Sequence, residues 1–190
     1  MMTWQMGIQF VMWSIFGLVW LWMMPKSRKD EHFVRKNTYN GSLWITIPLS
    51  LLVWTTGWSA IKPIFPGQET AGVIIGVFGL ASAIYARLVL GHFWDIHAAG
   101  HKEGKLLEVF PYTRIRHPIY GAQIIFCFGT GLSCNNIAAC LILVPGTYLL
   151  LLQRAIHEEA LLNELTGGDY QARFEKKGRF FPCLPETNTE

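Results

Sequence analysis

A chain of 190 residues that is 51% hydrophobic and only 15% charged, with a mean hydropathy of +0.27, does not read as an ordinary soluble domain, in which about a quarter of residues are charged. Eight tryptophans and twelve phenylalanines fit a membrane protein, because aromatic side chains collect at lipid–water interfaces. The net charge of +3 resides in short basic clusters beside apolar runs, which argues against nucleic acid as a partner and for a lipid bilayer.

Residues 7–24 supply the first apolar run, closed by Pro25 and a basic cluster. It has no basic leader and no small-residue cleavage site, so a retained helix is expected rather than a signal peptide. The second run is 43–61, with Pro48 near its start, and the third is 71–90. Gly72, Gly76 and Gly79 share one face of the third, which lets a neighbouring helix approach closely. The last apolar block, 119–152, is interrupted by Ser133, Asn135 and Asn136 and reads as two helices, 119–133 and 136–152, joined by a tight turn. Each arm would be about 22–26 Å long at 1.5 Å per residue, short for a hydrocarbon core about 30 Å thick. Pro145 and Gly146 suggest a bend in the second arm.

Lys26, Arg28, Lys29, Arg35 and Lys36 follow the first run, Lys102, Lys105, Arg114 and Arg116 follow the third, and Arg154, Arg173, Lys176, Lys177 and Arg179 follow the hairpin. The opposite side carries Lys62. The positive-inside rule then puts the N-terminus outside and the C-terminus in the cytoplasm, with Arg87 snorkelling at the cytoplasmic end of the third helix. The expected architecture is an all-α, multi-pass integral membrane protein in one domain. It has about five transmembrane helices, the last two a helical hairpin, and a cytoplasmic C-terminal helical segment. Segments 91–118 and 153–190 hold the polar chemistry on the cytoplasmic face.

Within the first polar segment, Pro118 suits the first turn of a helix, where its missing N–H costs nothing. The positive end of that helix, with Arg114, Arg116 and His117 beside it, suits a carboxylate or phosphate; the same residues also read as an interfacial anchor. In the second segment, residues 153–165 read as a helix leaving the membrane, ended by Gly167 and Gly168. Asp169 then caps a short helix through Phe174. The pair Glu158–Glu159 either neutralises Arg154 and the 114–116 cluster or binds a cationic or hydroxyl-bearing ligand. Of His92, His97 and His101, the last two are four apart with Asp95 and Glu103 close by and could share a helix face as zinc ligands do. Gly100 and Gly104 weaken that helix, no third ligand follows at a familiar spacing, and no metal is expected. Cys127, Cys134, Cys140 and Cys183 read as small packing residues without a disulfide framework.

In order, the chain reads LGHFW (90–94), LLEVFPY (106–112), RHPIY (116–120), EEALL (158–162), GGDY (167–170) and RFFP (179–182). These elements resemble the isoprenylcysteine carboxyl methyltransferase and phospholipid methyltransferase superfamily of membrane enzymes over about half the chain. The resemblance implies a methyltransferase that uses S-adenosyl-L-methionine and acts on a lipophilic or membrane-partitioned acceptor. It implies a cofactor site of Tyr112, Arg116, His117, Pro118, Tyr120, Glu158, Glu159 and Arg179, with Arg116, Glu159 and Arg179 also candidates for a catalytic role. Phe110 stands where the family commonly has glycine, and Gly104 where a histidine often precedes the aliphatic pair. Both lie in the loop expected to admit the acceptor, whose reacting atom stays open among oxygen, nitrogen and sulfur. An NADPH-dependent, sterol-reductase-like enzyme and a non-catalytic membrane protein are the competing readings.

Overall fold

A computed structural model describes residues 4–23, 65–91, 109–135 and 137–183. The expected second span at 43–61, the basic segment 25–42, the histidine group at 92–101 and Gly104 lie outside the described residues. The described residues form helices α1 (Trp4–Trp22), α2 (Gln68–Leu90), α3 (Pro118–Ser133), α4 (Ile137–Leu165) and α5 (Asp169–Phe174), with no strand among them. Two segments, Gln68–Leu90 and Cys140–Glu164, are long and apolar enough to cross a membrane. Phe10, Leu18 and Leu21 of α1, Ile74, Phe78 and Leu88 of α2, and Leu141, Ile142 and Leu149 of α4 stand exposed. Outward apolar faces of this extent are what lipid would cover.

The glycine face of α2 packs on α3 as its spacing predicts. A methyl group added at Gly79 would sit 2.5 Å from the Phe126 nitrogen, and one at Gly72 would sit 2.7 Å from Ser133 Cα. On the facing helix, a methyl group at Gly129 would sit 2.6 Å from Gly76 Cα. The two backbones therefore touch, and dispersion contacts run along the seam. Helix α1 seats Met12 and Phe16 against Leu80 and Phe126. A buried polar knot fixes its register: Gln9 Nε2 donates to Ser133 Oγ at 2.6 Å, and Thr130 Oγ1 lies 3.2 Å from Gln9 Oε1.

Three local expectations change. Arg87 is buried rather than snorkelling, donating to the Met23 carbonyl at 2.8 Å and the Gly91 carbonyl at 3.1 Å; carbonyls left over at the ends of α1 and α2 draw it inward. The membrane arm 136–152 and the exit helix 153–165 form one helix, α4, which continues through Pro145. At 1.5 Å per residue, Glu158 lies about 32 Å along α4 from Ile137, close to the thickness of a hydrocarbon core. Asp169 does not cap α5: Gly168 precedes the helix, Thr166 Oγ1 accepts from the Tyr170 amide at 3.0 Å, and Asp169 pairs with Arg173 at 2.9 Å.

Candidate active site

The chain makes its site by folding the C-terminal segment back across the start of α3. An isolated parallel bridge joins Ile115 to Gly178. The Arg116 amide donates to the Gly178 carbonyl at 2.9 Å and the His117 amide to the Arg179 carbonyl at 2.8 Å. Arg116 Nε adds a bond to the Lys177 carbonyl at 3.0 Å. Gly121 permits this contact, because a methyl group there would collide with the Phe180 carbonyl oxygen. The amides of Tyr120 and Gly121 turn to the His117 carbonyl. The positive end of α3, expected to receive an anion, thus has amides engaged by its own chain, and the side chains present the polar surface.

Those side chains converge from three parts of the sequence. Glu159 accepts from Arg116 Nη1 at 3.1 Å, from Arg179 Nε at 3.0 Å and from Arg179 Nη2 at 2.9 Å. His117 Nε2 lies 3.1 Å from Glu159 Oε1. The Arg179 fork is a bidentate, charge-assisted pair, the strong form of this interaction. Its bonds to Glu159 push the Arg179 guanidinium up, with burial opposing them. Glu158 takes different partners: the Tyr120 hydroxyl at 2.7 and 2.8 Å, and Arg154 Nε at 2.8 Å. His117 lies between the two carboxylates, with Nδ1 3.7 Å from Glu158 Oε2, and its ring is parallel to Tyr120 at 5.2 Å. The side chain of Glu159 is 13% exposed and that of Arg179 34%, so the cluster opens outward at Arg179.

Below the ion pairs is an apolar floor of Leu90, Ile119, Tyr120, Ile124, Leu151, Ala155 and Phe180. Tyr148 stands edge-on to Phe180 at 5.6 Å. Tyr170 closes one side; burial and then the Glu159 charge push its phenol up, so it remains a neutral group.

Of the eight predicted site residues, Arg116, His117, Tyr120, Glu158, Glu159 and Arg179 are brought into one cluster. Pro118 begins α3 and is buried. Tyr112 shares the apolar floor, but its hydroxyl donates to the Ala86 carbonyl at 3.0 Å, and its own carbonyl accepts from Lys177 Nζ at 3.3 Å. Its contacts are therefore with the end of α2 and the C-terminal segment. Tyr148, Tyr170 and Phe180 are additional neighbours, and Arg154, expected only as a partner neutralising the glutamates, also packs into the cluster. The i,i+4 spacing of Arg154 and Glu158 was a readable signal for the last of these.

The family model for phospholipid methyltransferases matches residues 68–167 of the 190. The match takes in α2, α3 and both glutamates and stops before Arg179. No curated protein matches the chain. With the match covering more than half its length, the chain belongs to the phospholipid methyltransferase family and is a methyltransferase by membership.

Proposed function

We propose that this protein transfers the methyl group of S-adenosylmethionine to a lipophilic, membrane-partitioned acceptor at the cytoplasmic surface. The observation that carries the reading is the convergence of RHPIY, the Glu158–Glu159 pair and Arg179 on one cluster above an apolar floor.

The donor set fits the cofactor's chemistry. Arg179, the most open cation of the cluster, suits the carboxylate. Glu159 suits ribose hydroxyls or the ammonium group, and Phe180 with Tyr148 offers aromatic surface for adenine. When bound, S-adenosylmethionine would supply an electrophilic methyl that passes from its sulfonium to the acceptor atom, with S-adenosylhomocysteine as the leaving group and no covalent enzyme intermediate needed. The protein's part is then positioning and exclusion of water. Arg116 holds Glu159 while tying down the C-terminal segment, and Tyr120 and His117 form the parallel pair beneath it. The basic clusters support a cytoplasmic site with the N-terminus outside. The length of α4 supports a site near the edge of the hydrocarbon core, where a lipid-dissolved acceptor is at hand.

Incubating detergent-solubilised protein with methyl-labelled S-adenosylmethionine and a membrane lipid extract should move label into the organic phase. Arg179→Lys, which loses the bidentate fork, should slow transfer about tenfold. Label that stays on the cofactor across lipophilic carboxylates, amines and thiols would overturn the proposal.

A further inference from the structure

Arg154 belongs to none of the motif residues above, yet its side chain is only 11% exposed and its Nε donates to Glu158 at 2.8 Å. Its guanidinium carbon also lies 5.7 Å from the centre of the Tyr120 ring. The Tyr120 hydroxyl in turn reaches both oxygens of Glu158. From Tyr120 the chain of contacts passes to the parallel His117 ring and, through His117 Nε2, to Glu159. Glu158 and Glu159, adjacent in sequence, thus do different work. Glu159 faces the open, cation-rich side, while Glu158 is turned toward Arg154 and Tyr120. The charged and titratable groups around Glu158 are Arg154 on α4, Tyr120 on α3, His117 just before α3, and Tyr170 on α5.

We propose that Arg154 is a positioning residue of this site: it locks Glu158 against Tyr120 and so sets the Tyr120–His117 pair on which Glu159 depends. This rests on the methyltransferase reading for its consequence but not for its geometry. Without the guanidinium, Glu158 is a mostly enclosed carboxylate lacking its arginine partner, and such a group takes up a proton. The acid keeps one carbonyl acceptor but sets an O–H where the Tyr120 hydroxyl now reaches a second carboxylate oxygen, so that hydroxyl is held less tightly.

The test uses the full chain in detergent, with S-adenosylhomocysteine as the binding probe and infrared difference spectroscopy as a second readout. Arg154→Met should weaken binding about tenfold and give a protonated-carboxyl band missing from the native protein; E158Q should abolish that band. The double variant R154M/E158Q should bind within about threefold of R154M, since an amide and a protonated acid offer Tyr120 the same single carbonyl acceptor. R154K, which keeps the charge, should fall between native and R154M. Normal binding by R154M, a further large loss when E158Q is added to it, or absence of the carboxyl band overturns the proposal. If the native protein itself ignores S-adenosylhomocysteine, the cofactor reading fails, and the carboxyl band alone decides the role of Arg154.

Discussion

Replacing Glu159 with alanine is expected to weaken S-adenosylhomocysteine binding by at least about a hundredfold, the consequence of removing one partner from a mostly buried ion pair. Glu159 joins three groups from two distant segments: Arg116 and His117 before α3, and Arg179 from the C-terminal segment. Without the carboxylate, the two guanidiniums face each other across a narrow space, and Arg179 loses the fork that aims it. E159Q keeps the shape and one acceptor oxygen and should lose about tenfold. The helices should survive, because the seam between α2 and α3 does not involve this residue. Titration calorimetry beside circular dichroism separates the two effects. If E159A binds normally, Glu159 is a structural brace and not part of the cofactor site.

Gly121→Ala should damage the same site without touching an ionisable group. The new methyl would run into the Phe180 carbonyl, whose carbon would lie 3.1 Å away. Neither partner is the end of a flexible side chain, so the C-terminal segment must lift. Overpacking of this kind costs about 1–3 kcal/mol, and a comparable loss of site geometry is about ten- to hundredfold in binding. Lifting the segment withdraws Arg179 from Glu159 and breaks the amide contacts of Arg116 and His117. Gly17→Ala is the control, because a methyl group there meets nothing within 4 Å. Equal binding by both variants would show that the contact between residue 121 and the segment is dispensable.

The parts of this site legible in the sequence were those written as local spacing. The glycines at 72, 76 and 79 predicted a close helix contact because a helix puts them on one face; α3 packs against Gly72 and Gly79, and Met12 of α1 against Gly76. RHPIY predicted the start of α3 because proline suits a first turn. The parts that were not legible depend on long-range closure. Amides at the start of α3 were expected to be free for an anion, but Gly178 and Arg179, some 60 residues on, bring their carbonyls to Arg116 and His117. Arg87 was expected to reach water, but the carbonyl of Met23, just past the end of α1 and 64 residues earlier, provides a nearer partner. The expected boundary at 152–153 has no helix-breaking residue, so two expected helices are one, α4. Neutralisation and ligand binding were alternatives for the glutamate pair; the structure shows that both carboxylates have arginine partners, different for each, with His117 between them.

The central claim is that this cluster is a site for S-adenosylmethionine. Titration calorimetry of the detergent-solubilised full chain with S-adenosylhomocysteine, run beside NADPH, tests it most directly. Saturable one-to-one binding of S-adenosylhomocysteine, with no heat from NADPH, is the result predicted here; binding of NADPH alone, or of neither, would contradict it.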